Sequence, residues 1–155
     1  MNNTNRTIEE LTEIFVKHKE ERICVIGTTC CGKTTLLRKI PGCVDMDDEL
    51  FSRLTKEEAD FVCQTPWTEE IGDEFDRLVY ERVKIKPGQP MFGTVILDCD
   101  AVVYLDIDDD MLKDRCEKRG VSFEDAKNME RAIKGDWDNN KAKNGRTNYW
   151  LKITE

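Results

Sequence analysis

The sequence predicts an α/β protein, a parallel sheet covered by helices on both faces in three layers. Three observations predict it. RICVIG (22–27) is a continuous apolar run ending in glycine, the pattern of a strand buried on both faces. AVVYLDI (101–107) is a second such run, followed at once by a polar segment of helical pattern. Around them strand-like and helix-like stretches alternate, as the strands and crossovers of a parallel sheet do.

Residues 7–19 place Ile8, Leu11, Ile14 and Phe15 on one face of an amphipathic helix. Thr7 is its cap, and Glu9, Glu10 and Glu13 suit the positive end of the dipole. The strand 22–27 feeds a helix over 33–40, stopped by Pro41-Gly42. CVDMD (43–47) reads as a short strand, and DDELFSRLTKEEADFV as a helix with an acidic start, broken around Thr65-Pro66-Trp67. Residues 68–84 are helical, with Ile71, Phe75, Leu78, Val79 and Arg82 at helical spacing. After a loop at 86–90, MFGTVIL (91–97) is the third strand in one reading. In the other that strand lies earlier, near VYERVKI, and PGQPMFG is a substrate loop. Asp98-Cys99-Asp100 is a very short break before 101–107. Segment 108–120 carries acid at its start, base at its end and a glycine stop, as helices prefer. Ser122 to Asp125 open another helix to about Lys134; 139–148 is a basic loop, and YWLKI (149–153) a last strand.

A chain of 155 residues is one domain, 1–155, and at this length about 68–70% of the unfolded surface is buried without help from disulfides or metals. With 24 Lys and Arg against 32 Asp and Glu the net charge is −8, which argues against broad, sequence-independent nucleic-acid binding. No apolar run approaches the ~20 residues of a membrane span, and the first residues lack the basic and apolar segments of a secretory leader. Seven cysteines, an odd number without a Cys-x-x-Cys pair, read as reduced thiols that fill core space in a cytoplasmic protein. His18 reads as a surface or helix-end residue.

The decisive feature is Gly27-Thr28-Thr29-Cys30-Cys31-Gly32-Lys33-Thr34, a full G-x-x-x-x-G-K-T after an apolar strand and at a helix start, with Thr35 next in that helix. The glycines allow a tight turn whose amides converge on phosphate oxygens, Lys33 reaches the β- and γ-phosphates, and the Thr34 hydroxyl ligates Mg2+. The sequence therefore predicts binding of a nucleoside triphosphate, with ATP and Mg2+ as cofactors. Cys30 and Cys31 read as tolerated small residues; a sharper expectation is a readily oxidised thiol beside Lys33.

Three classes share such a loop. The base-reading Asn-Lys-x-Asp of small GTPases is absent, since Asn140-Lys141-Ala142-Lys143 lacks the aspartate, and transport or motor ATPases need a longer chain. Small-molecule kinases remain. Asp45 and Asp47 stand where ligands bind at the strand ends of open α/β sheets; one would accept a proton from the attacking hydroxyl while its neighbour holds Mg2+ through water, or they cap the next helix. Asp98, closing the run VIL, is the metal carboxylate of first choice and Asp106 the second. Arg115 and Arg119, four apart, share a helix face.

Over nearly the whole chain the sequence resembles the nucleoside monophosphate kinase, shikimate kinase and gluconate kinase group of small phosphate-loop kinases. The resemblance rests on Gly27–Thr34, Asp45-Met46-Asp47 and VVYLDIDDDMLKDRCEKRG. It implies strand order 2-3-1-4-5 and a mobile lid, placed at about 118–146, with Arg131, Lys134, Lys143 and Arg146 as possible phosphate contacts. It also makes Arg115 and Arg119 lid-type arginines that neutralise migrating charge. The acceptor side departs from the group: Asp98-Cys99-Asp100 replaces Asp-Gly-Phe-Pro-Arg, and the triple glycine of shikimate kinases is missing. Acceptor contacts are expected from about 48–90, with Arg53, Arg77 and Arg82 as grips for an anion and Trp67 or Phe92 for stacking.

The resulting expectation is a kinase that phosphorylates a small acceptor, a nucleotide or nucleoside-like metabolite. A second reading is a polynucleotide kinase with a basic groove of Lys84, Lys86, Lys141, Lys143 and Arg146; a third is a nucleotide-binding regulator. No membrane partner is expected, and the oligomeric state is open.

Overall fold

A computed structural model describes residues 3–140 and 145–153. Five strands, β1 (Ile23–Ile26), β2 (Val44–Asp45), β3 (Met91–Gly93), β4 (Ala101–Ile107) and β5 (Thr147–Ile153), form one parallel sheet in the order β2-β3-β1-β4-β5. This is the order expected. Seven helices accompany them among the described residues: α1 (Asn3–Lys17), α2 (Lys33–Lys39), α3 (Met46–Phe51), α4 (Lys56–Val62), α5 (Glu69–Arg82), α6 (Asp109–Arg119) and α7 (Phe123–Asn140). None of them is long and apolar enough to cross a membrane.

The two-residue period of a strand divides the core. Val25, Val103 and Leu105 pack with Leu11 and Ile14 of α1, Leu36 of α2, and Leu112 and Cys116 of α6. Cys24, Ile26, Val102 and Tyr104 pack on the other face with Leu50 of α3, Leu78 and Val79 of α5, and Ile133 and Trp137 of α7. Every residue of β1 is buried because it is the middle strand with helices on both sides. The N-terminal helix covers the last strand: Tyr149 and Leu151 of β5 pack into the cluster of Leu11 and Ile14. His18, buried rather than at the surface, ties that contact together at 2.8 Å from both the Tyr149 hydroxyl and Glu21.

The segment expected as strand 43–47 stops at Asp45. Its side chain accepts the Asp47 N–H at 2.9 Å, and this local bond turns the chain into α3 before a longer ladder forms. The helix expected beyond Asp47 is two, because Thr55 starts a new one with a capping box to Glu58. Of MFGTVIL only Met91–Gly93 is strand. Gly27 N–H still bonds Gly93 O at 3.2 Å, but β1 then turns away and leaves no ladder to extend. Val95, Ile96 and Leu97 run back, buried, along the α5–α7 face, and Asp100 N–H bonds Arg22 O at 2.9 Å at the start of β4. This crossover contains no helix. α7 extends past Lys134 to Asn140, with Ala126, Ile133 and Trp137 in the core. Most of the segment expected as a lid is therefore a packed helix.

Candidate active site

The turn from β1 into α2 has the shape that its glycines require. A Cβ on Gly27 would lie 2.7 Å from Cys31 Sγ, and one on Gly32, whose φ is +105°, 2.9 Å from Arg115 Nη1. Cys30 is also in the left-handed region, at φ +65°, a conformation that costs a non-glycine residue roughly 1–2 kcal/mol. The loop is fixed from behind by Thr28, whose buried hydroxyl donates to Ala126 O of α7 at 2.6 Å. Lys33 Nζ lies over the turn, donating to Gly27 O at 2.5 Å and Thr28 O at 2.7 Å. Gly32 offers α2 no side-chain cap.

Thr29 to Thr35 line a cavity of about 1000 Å3. The α6 arginines reach the same place. Arg115 Nη1 donates to Cys31 O at 2.8 Å, and Arg119 Nη1 lies 3.7 Å from Cys30 Sγ; both residues and Lys118 line the cavity. Their spacing of four puts them on one face of α6, whose ends are set by the Asp108 cap and by Gly120 in the left-handed conformation. The Cys30 and Cys31 side chains, 5% and 1% exposed, are packed into the core, which favours the packing role over the oxidisable one.

Asp45 and Asp47 also line the cavity, without sharing a strand face, because Asp45 ends β2 and Asp47 lies in the first turn of α3. Gly93 makes this approach possible: a Cβ there would be 2.6 Å from Met46 Cβ and Sδ. Although Asp47 is exposed, partial desolvation at the cavity wall and then the Asp45 charge raise its pKa, Lys33 opposes the shift, and Asp48 adds to it.

The far end of the cavity is built by α5 and α7. Trp67, Phe75 and Met129 supply apolar wall, and Asp73, Asp76 and Asp136 supply carboxylates. Trp67 lies against Gly72, where a Cβ would come within 2.5 Å of its Cζ2, and the Trp67 backbone N–H donates to Asp125 Oδ2 at 3.1 Å. Burial, then Asp136 and Asp73, push the Asp76 carboxyl up to about 7. In the unfolded chain the group ionises near its ordinary value of 3.8, so the folded protein holds the extra proton between about pH 4 and 7. Stability therefore falls as pH rises through that window. Asp76→Asn is expected to raise the Tm at pH 8 and flatten this dependence; a Tm–pH curve parallel to that of the wild type would refute it.

Several residues expected at the site are elsewhere. Asp98 sits beside Arg22, at the N-terminal edge of the sheet: its side chain is 90% exposed and lies 3.5 Å from Arg22 Nη1. Because VIL is a return segment and not a strand end, Asp98 is not placed to share a metal with Thr34. Asp106 accepts from Trp150 Nε1 at 3.2 Å. Arg53 pairs with Glu49 at 3.1 Å, Arg77 with Glu74 and Glu81, and Arg82 with Glu58, and none of the three lines the cavity. Arg131 bonds Asn128, Lys134 lies 3.6 Å from Glu130, and Arg146 donates to Leu97 O and Cys99 O across the sheet from the loop. Of the residues expected to form a basic groove, Lys84 and Lys86 do not line the cavity, and Lys141 and Lys143 lie outside the described residues.

Sequence reasoning missed Lys118, Asp73, Asp76 and Asp136. Glu69, Asp73 and Asp76 recur at four and three residues, a stripe along α5 that helical spacing reveals.

The fold and the loop together define a phosphate-loop α/β protein. No family model and no curated protein matches the chain. Solved structures similar to it include a deoxyadenosine kinase from M. mycoides with the products dCMP and a flexible dCDP bound. That likeness has 13% identity, covers 83% of this chain and 88% of that one, and has a TM-score of 0.49.

Proposed function

We propose that the protein is an ATP- and Mg2+-dependent phosphotransferase acting on a hydroxyl of a small acceptor of nucleoside-like size. One observation carries the reading: a single cavity of about 1000 Å3 joins the phosphate loop and its cations to a separate aromatic and acidic end, with Asp47 also on its wall. The left-handed Gly32, the uncapped start of α2 and the cations Lys33, Arg115 and Arg119 fit a triphosphate. Thr34 and, through water, Asp45 would hold Mg2+, which when bound offsets phosphate charge.

In the proposed transfer the acceptor oxygen forms a bond to the γ-phosphorus, and the bond from that phosphorus to the β–γ bridging oxygen breaks. ADP leaves, and the hydroxyl proton passes to Asp47. Lys33 steadies the phosphates, and Arg115 and Arg119 balance charge on the moving group. The region from α3 to α5 would seat the acceptor, and Arg115 and Arg119 at the end of α6 would face the donor phosphates.

A single-turnover assay with γ-labelled ATP, Mg2+ and pooled alcohols tests the proposal. Labelled product is expected within one enzyme equivalent; ATP binding without transfer to any acceptor would identify a regulator instead.

A further inference from the structure

The charged lining of the cavity is mixed beside the loop and wholly acidic where α5 and α7 form its wall. At the loop end stand the cations Lys33, Arg115, Lys118 and Arg119, with Asp45 and Asp47 beside them and Arg38 of α2 also on the lining. At the other, the charged lining contributed by α5 and α7 is Glu69, Asp73, Asp76 and Asp136, with no Lys or Arg from these helices among the described lining residues. The arginines of this region are held by their own partners, Arg77 by Glu74 and Glu81 in a shallow neighbouring pocket that it shares with Asp73 and Asp76, Arg82 by Glu58, and Arg53 by Glu49. An acceptor phosphate or carboxylate seated against Asp73 and Asp76 would therefore meet like charge, with Arg77 already paired to Glu74 and Glu81. The Trp67 ring, seated against Gly72, walls the same end, and an aromatic face attracts cations.

We infer that the acceptor is a cationic alcohol, a small molecule carrying an ammonium or guanidinium group that seats against Asp73, Asp76 and Trp67 while its hydroxyl faces the loop. The inference rests on the phosphotransferase reading and narrows it. It separates this cavity from one built for a mononucleotide or a sugar acid, whose anionic group is best met by arginine and not by aspartates. A cation would also offset the charge of the neighbouring carboxylates, which adds to burial in raising the Asp76 pKa. A neutral acceptor would leave that charge in place.

The test uses the full chain with labelled ATP and Mg2+ against alcohols of matched size in three charge classes. These are amino and guanidino alcohols, neutral polyols and nucleosides, and sugar phosphates with hydroxy acids. Transfer is expected to the first class. For an accepted amine, N-acetylation and the variants Asp73→Asn and Asp76→Asn should each raise KM at least about tenfold, the effect of losing one charge-assisted contact, while the Kd for ATP is unchanged. Removing a repelled carboxylate does not endanger folding, so a KM change reports on recognition. A best acceptor that is neutral or anionic overturns the inference, as does an amine whose KM is the same in both variants. Transfer to none of the classes by a chain that binds ATP overturns it too. Failure to bind ATP overturns the phosphotransferase reading itself, a separate result.

Discussion

Lys33→Ala is expected to lower phosphoryl transfer by about 10²–10³-fold, the usual effect of removing one preorganised group from a developing oxyanion. The reason is local. Lys33 is the cation carried by the loop itself, and its ammonium lies over the turn at 2.5 Å from Gly27 O and 2.7 Å from Thr28 O, so its position is set before any ligand arrives. Arg115 and Arg119 approach from a different element and touch the loop at Cys31 O and Cys30 Sγ. They cannot substitute for a charge at the base of the turn. Lys33→Arg should not rescue, because a planar fork does not fit where a compact ammonium sits between two carbonyls. Steady-state rates, with the Kd for ATP measured in parallel, check this. The loss in kcat should exceed the loss in affinity, and the Tm should stay close to that of the wild type because the side chain lies at the cavity wall and not in the core. A K33A enzyme within threefold of the wild-type rate would remove Lys33 from the mechanism.

The donor half of this site was legible because each of its parts is local. An apolar run, a glycine turn and a helix start are adjacent in sequence, and both the strand 101–107 and the helix after it, with its Asp108 cap and Gly120 stop, have the bounds that their residues suggest. The spacing of Arg115 and Arg119 needs only the helical repeat to place both on the loop. The acceptor half depends on competition between partners that sequence does not rank. Arg77 had carboxylates on both sides, and it took Glu74 and Glu81, which left Asp73 and Asp76 on the stripe that faces the cavity. The end of β2 was set by a side chain that outcompetes the ladder, and the end of β3 by its neighbour turning into the phosphate loop, so Val95–Leu97 are apolar for burial rather than for pairing. Asp98 was misplaced for that reason alone. It ends an apolar run that travels away from the loop.

Asp47→Asn is expected to lower kcat by about 10²–10⁴-fold, the contribution of a positioned general base, with little change in the Kd for ATP. The pH profile separates this role from simple packing. A base acts when deprotonated, and partial desolvation with the nearby Asp45 charge raises the Asp47 pKa, so wild-type kcat should fall as pH drops through a point above the ordinary value for aspartate. That limb should vanish in the Asp47→Asn enzyme. Asp45→Asn then distinguishes the two aspartates. Asparagine can still accept the Asp47 N–H and cap α3, so the turn survives, but the charge that helps raise Asp47 is gone. Its expected signature is an acid limb moved to lower pH with only a modest loss in rate. If instead Asp45→Asn abolishes transfer and Asp47→Asn leaves the limb in place, the base is Asp45, and the residue at the start of α3 serves to hold the turn.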